Sequence, residues 1–201
     1  MAHRPPALAA ILALALALPL ALALAAPAPA LAGALDDMNA SLAVDDIASG
    51  LAARHRGDQS GAIKRFTQAI DSGGLAKENL AVAHNNRGNA YDDQGQPDQA
   101  LKDYDQAIKL DPRLAEAYYN RAFVLYRVGR LQEALDDLDK VVQLLPNLPS
   151  AYYNRSVVLE SLGQNNRAMS DLQQALGLDP VNAKYRDNLE RLQAATVTKK
   201  P

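Results

Sequence analysis

Cysteine and tryptophan are absent from the 201 residues, and the chain has only two phenylalanines and three histidines. Without cysteine no disulfide, thiolate metal site or lipid attachment through sulfur can form. The histidines offer little more: His3 stands in the leader-like start, His84 falls at a large-residue packing position, and His55 lies between Arg54 and Arg56. No two share a helical face at metal-ligand spacing. No serine elbow, phosphate-cradling glycine loop or alternating strand pattern occurs. The pairs Asp92 with Asp93 and Asp136 with Asp137 resemble calcium ligands in composition only, because they lack the glycine-centred loop the ion needs. The expectation is a protein with no catalytic site, no metal and no cofactor. A metal-binding or enzyme-accessory role for the acidic residues is the contrary reading, which tight calcium binding would restore.

Charge is scarce at one end alone. Residues 1–32 carry a single Arg4, then an Ala- and Leu-rich run, then Ala30, Leu31 and Ala32 before Gly33. A basic start, an apolar stretch and an A-x-A site make the layout of a secretory signal peptide, so export, most simply to a bacterial periplasm, is expected. The alternative is an uncleaved helix tethering an assembly factor to the inner membrane, since the run nearly reaches the ~20 residues a bilayer span needs. Pro19, Pro27 and Pro29 favour cleavage. Without Arg4 the chain keeps 20 basic and 23 acidic residues, a net −3. That balance argues against nucleic acid, and against anionic lipid as a main partner. A membrane would be contacted only through an uncleaved leader.

The phrase YYNR occurs at 118–121 and again at 152–155, and a looser AHNNRG at 83–88 precedes them at the same interval of 34 residues. Counting each unit from Ala81, Ala115 and Pro149, position 15 is Gly95, Gly129 and Gly163, position 20 is Ala100, Ala134 and Ala168, and position 32 is Pro112, Pro146 and Pro180. A weaker unit starts at Ala43, with Gly57, Ala62 and Phe66 at positions 15, 20 and 24, and with Gly73 and Gly74 where later units place a proline. Each unit reads as two amphipathic helices. In the third, Tyr118, Ala122 and Leu125 form one stripe and Ala134, Leu135, Leu138 and Val141 the other. Glycine between them can take the left-handed conformation that ends a helix, and the proline stops the second. Small residues at position 8 (Gly88, Ala122, Ser156) and at position 20 let the two helices pack closely.

These residues resemble the tetratricopeptide repeat, whose period is 34. The resemblance implies an all-α, right-handed solenoid of stacked helix-turn-helix repeats whose first helices line a concave groove, with a C-terminal capping helix. The expected division is signal 1–32, linker 33–42, a divergent repeat 43–80, repeats 81–114, 115–148 and 149–182, a capping helix 183–195 through Tyr185, Leu189 and Leu192, and a tail 196–201. The implied role is non-catalytic: a scaffold or assembly factor that binds another protein or an extended peptide, with self-association also open.

Position 7 is Arg87, Arg121 and Arg155, and position 23 is Asp103, Asp137 and Asp171; the first unit has Ser49 and Arg65 there, lacking both together. Joint presence and joint absence point to an Arg–Asp pair between the two helices, the rival being arginines that bind an anionic ligand. Position 6 is Asn86, Asn120 and Asn154, about 100° round the helix from the arginine. An amide donates and accepts, so this row suits either the backbone of a bound peptide or a bond that spaces repeats. Asn89, Tyr119, Tyr126, Arg127 and Tyr153 are further groove candidates. Tyr119, Phe123, Tyr126 and Tyr153 suit an apolar pocket with polar rims. Of these, Tyr119 and Tyr153 are the better anchors, and Phe123 fits ordinary packing. Asn89 and Asn120 match the asparagines of the carboxylate clamp found in some members of the family. Its basic positions hold Asn85, Ser150 and Asn154 here, so a chaperone carboxylate is not the expected ligand.

Overall fold

The structure, a computed structural model, describes residues 28–197. The expected signal segment up to residue 27, and the last four residues of the expected tail, lie outside the described residues. The chain forms α1 (Ala28–His55), α2 (Gln59–Asp71), α3 (Lys77–Asp93), α4 (Pro97–Leu110), α5 (Ala115–Arg127), α6 (Leu131–Leu144), α7 (Pro149–Ser161), α8 (Asn165–Leu178) and α9 (Ala183–Val197). Among the described residues there is no strand, and no helix is long and apolar enough to cross a membrane. α1 packs on α2, α3 on α4, α5 on α6 and α7 on α8, and each second helix then packs on the first helix of the next pair. α9 closes the end against α8. First helices also meet one another, α1 with α3 and α3 with α5, so they make one continuous face of a helical-repeat solenoid.

The turn inside each pair is set by one glycine. Gly129 has φ 81°, a left-handed conformation that costs glycine no Cβ clash. Its position lets Arg130 N donate to Leu125 O at 2.9 Å and Gly129 N to Tyr126 O at 3.1 Å, the paired bonds of a Schellman cap. The same closure recurs from Gln96 N to Tyr91 O at 2.9 Å and from Gln164 N to Leu159 O at 2.8 Å. Pro97 and Pro149 sit in the first turn of their helices, where a missing N–H costs nothing.

Inside the pairs, size at position 8 matches size at position 24. A Cβ on Gly88 would lie 2.7 Å from the Tyr104 ring, and one on Gly50 would lie 2.7 Å from Phe66. Where position 24 is the slimmer Leu138 or Leu172, position 8 carries a side chain, Ala122 or Ser156, and all four are buried. A single buried cluster then runs from Ala100 and Leu101 through Leu125, Leu138 and Leu159 to Leu172 and Leu192.

Two segments differ from expectation. Residues 33–42 are not a linker: they continue α1, which is one helix of 28 residues. Nothing from 33 to 42 breaks a helix, and the backbone of Asn39 and Ala40 rests on the loop after α2. A Cβ on Gly74 would stand 2.5 Å from Ala40 N, which accounts for glycine where later units have proline. At the other end α9 extends to Val197, taking in the first two residues of the expected tail.

Candidate functional site

The repeated arginine ties three helices. Arg121 of α5 donates from Nε and Nη2 to Asp137 of α6 at 2.8 and 2.6 Å, and from Nη1 to Asp105 of the preceding α4 at 2.6 Å. Arg155 grips Asp171 at 2.7 Å through both nitrogens and reaches Asp139 at 2.9 Å. Arg87 grips Asp103 at 2.8 Å twice and reaches Thr67 at 3.0 Å. A planar guanidinium suits this forked geometry, which lysine would not reproduce. The third arm, to position 25, is absent from the sequence reading, although Asp105 and Asp139 stand 34 residues apart and signal it. The tyrosine that opens the phrase lies beside the arginine, with Tyr118 and Tyr152 ring centroids 5.8 and 5.6 Å from the guanidinium carbons of Arg121 and Arg155. In the first pair the polarity is reversed: Arg65 of α2 donates to Asp46 of α1 at 3.1 Å.

His84 replaces that tyrosine in the second pair, and its Nδ1 meets Asp103 Oδ1 at 2.8 Å. Burial pushes the Asp103 carboxyl up, but hydrogen bonds from Arg87 and His84 outweigh it and hold the group below its ordinary value. Asp137 has no histidine. There burial prevails over the Arg121 bonds, with Asp105 and Asp136 adding repulsion, and the carboxyl lies above its ordinary value.

The asparagine row serves the junctions between repeats at two of its three places. Asn120 Nδ2 donates to Asn85 Oδ1 at 3.1 Å, and Asn154 Nδ2 donates to Tyr119 Oη at 2.5 Å, each reaching the preceding first helix. Asn86 instead donates to Val82 O within α3 at 3.0 Å. Asn89 accepts from Tyr104 Oη at 2.8 Å. Arg127 pairs with Asp92 and lies 5.4 Å from the Phe123 ring centroid, while Arg54 Nε pairs with Asp93 at 2.9 Å. Both members of the first suspected calcium pair are therefore neutralised within the chain. Among the described residues no three of His, Cys, Asp or Glu gather in a way that would hold a metal.

Three depressions run along the first helices, and Tyr119 borders all of them. The most apolar, of about 180 Å³, lies between α5 and α7 and is walled by Tyr119, Phe123, Tyr126, Tyr153 and Val157 over buried Leu138. The four aromatic candidates thus lie together, with unequal exposure. Phe123 is 55 % exposed. Tyr153 is the packed one: its ring stacks on Tyr185 of α9 at 5.1 Å, and Lys184 Nζ lies 4.5 Å from its centroid. From sequence, Phe123 counts among the pocket residues but fits ordinary packing better, because one apolar letter does not say whether the next repeat covers it.

The family pattern described as "TPR repeat" matches residues 88–129, and that described as "Tetratricopeptide repeat" matches residues 113–178. Comparison with curated proteins finds no match. Among solved structures, MamA from Desulfovibrio magneticus RS-1 is similar at 23 % identity over 79 % of this chain and 85 % of that one, with a TM-score of 0.69. YrrB, described as a TPR protein with an unusual peptide-binding site, is similar at 22 % identity, 75 % of each chain and a TM-score of 0.64. The first TPR domain of Spaghetti (RPAP3), bound to an HSP90 peptide, shares 26 % identity over 60 % of this chain and 95 % of its own, with a TM-score of 0.57. With its paired helices, its glycine turns and these matches, the chain carries tetratricopeptide repeats over residues 88–178.

Proposed function

We propose that this protein, a protein-interaction scaffold by its repeats, holds an extended segment of another polypeptide along the face of its first helices and so serves an assembly. The observation that carries this reading is the apolar pocket between α5 and α7, left open with Phe123 half out in solvent. Such a pocket receives one large apolar side chain, the kind of buried anchor that dominates binding energy. The flanking arginines, Arg54 and Arg127, are already paired with Asp93 and Asp92, so the ligand is recognised by shape and apolar area and not by a terminal carboxylate. The Spaghetti domain and YrrB support a peptide as the occupant, the first holding an HSP90 peptide and the second having a peptide-binding site. Asn120 and Asn154 of the amide row enter as repeat spacers whose remaining groups border the groove.

Export belongs to the same proposal. It rests on the leader-like residues 1–32 and is tested by the N-terminal mass of the chain recovered from an envelope fraction.

Selection of random peptides on the full-length protein tests the groove. Enriched peptides should share a large aromatic or aliphatic residue at an internal place. Phe123→Asp, at an exposed site, should keep the circular dichroism spectrum and weaken those peptides about tenfold or more. Peptides that bind both proteins equally would remove the pocket from the binding site.

A further inference from the structure

Every junction in the stack has a seat for the preceding second helix. Arg121, Leu125, Arg130 and Glu133 share a cavity with Leu101 and Asp105 of α4, which packs there. One junction earlier, Arg87 and Gln94 reach back to α2, bonding Thr67 at 3.0 Å and Ser60 at 2.8 Å. The seat residues hold positions 7, 11, 14, 16 and 19 of their units. In the first pair those positions are Ser49, Ala53, Arg56, Asp58 and Gly61, and all five line one open cavity of about 400 Å³. Among the described residues no second helix precedes this pair. The first repeat thus presents a seat built like the others that no described second helix fills.

Its chemistry differs from theirs. Small side chains at Ser49, Ala53 and Gly61 leave a floor where later units have Arg121, Leu125 and Glu133. The rim is cationic. Arg56 and Lys64 are exposed, with no ion pair among the described residues. Arg65 holds Asp46 through one nitrogen, and the Asp58 carboxylate is engaged by Gly61 N at 2.8 Å. α4 and α6, which fill two of the later seats, bring a leucine at position 21 and an aspartate at position 25, Leu101 with Asp105 and Leu135 with Asp139, where α2 has Ile63 and Thr67.

We propose that this end of the solenoid docks an acidic amphipathic helix of a partner protein, with a large apolar side chain over Ala53 and carboxylates facing Arg56, Lys64 and Arg65. Charge selects this occupant over the two the chain itself offers. Residues 1–27 contain no carboxylate side chain to meet the rim. A second copy stacked end to end would present α9, whose exposed Lys184 and Arg186 alternate with exposed Asp187 and Glu190, a mixed face that matches the cationic rim less well than an acidic helix does.

The probe is the helix that fills the equivalent seat, a capped peptide of residues 97–110. Short helices are marginal in water, so it is locked by a lactam between Lys102 and position 106 with Gln106→Glu, both solvent-facing in the chain. Binding of this labelled peptide to the full-length protein is read by fluorescence anisotropy. Saturable binding should weaken about tenfold when Arg56→Glu and Lys64→Glu are combined, and should recover with a peptide carrying Asp105→Lys. Phe123→Asp should leave it unchanged, which separates this surface from the groove. No saturable binding up to about 1 mM, or binding indifferent to the charge reversal or weakened equally by Phe123→Asp, would overturn the proposal. So would dimerisation in sedimentation that the reversal abolishes, because a second copy would then own the seat.

Discussion

At the scale of the residue, the arginine of the repeated phrase matters through what its removal leaves behind. Arg121 is 22 % exposed and Asp137 only 5 %, so Arg121→Ala strands a carboxylate that water scarcely reaches. The variant should lose about 2–4 kcal/mol in urea unfolding. Arg127→Ala breaks a solvent-screened pair and should cost at most about 1 kcal/mol. Equal losses would mean that burial does not set the value of these pairs. His84 tunes the neighbouring junction. The folded value of Asp103 lies below that of the unfolded chain, so its contribution is complete above about pH 4 and is lost as pH falls through the folded value. His84→Tyr, which gives this pair the residue of the other two, should move the Asp103 titration upward in carboxyl-detected NMR and shrink that acid-sensitive contribution. An unmoved titration would leave Arg87 as the sole cause of the depression.

At the scale of the element, the helix pair works by matching two sizes. Gly88 against Tyr104 and Ala122 against Leu138 are alternative fillings of one gap. Gly88→Ala should cost about 1–3 kcal/mol by overpacking, and adding Tyr104→Leu should give back most of the steric part. A double-mutant cycle in thermal unfolding checks this. Strict additivity would show that the ring moves aside freely. The Tyr104 hydroxyl also bonds Asn89, so the leucine loses that bond and recovery stays incomplete.

At the scale of the whole molecule, repeats that touch only their neighbours share stability along a line. The middle pairs have an arginine tied to the pair before them, and α9 covers the last second helix. Within the first pair the arginine contact is the reversed Arg65–Asp46 pair, with Arg65 half in solvent, and no described second helix covers its seat. Amides of α1 and α2 should therefore exchange with solvent well before those of α5 and α6, by an opening free energy smaller by about 1–3 kcal/mol. Uniform exchange would mean that the stack opens as one unit. Occupation of the first repeat's seat by the locked peptide should slow α1 and α2 most.

Much of this protein is legible in its letters. Glycine at position 15, alanine at 20 and proline at 32 act through local backbone and steric rules, so they fix the helices, their turns and the period without reference to anything distant. The Arg–Asp contacts were readable too, since joint presence in three units and joint absence in the fourth is a pattern within one chain. What only the tertiary structure decided depends on which neighbour covers a side chain. Phe123 stands open while Tyr153 is stacked under α9, the asparagines at 120 and 154 bind the preceding helix, and residues 33–42 remain helical against the Gly74 loop. An apolar or amide side chain has the same letter whether it meets solvent or the next repeat. The stacking of one repeat on another, through contacts some 34 residues apart, is the physical event that chooses between them.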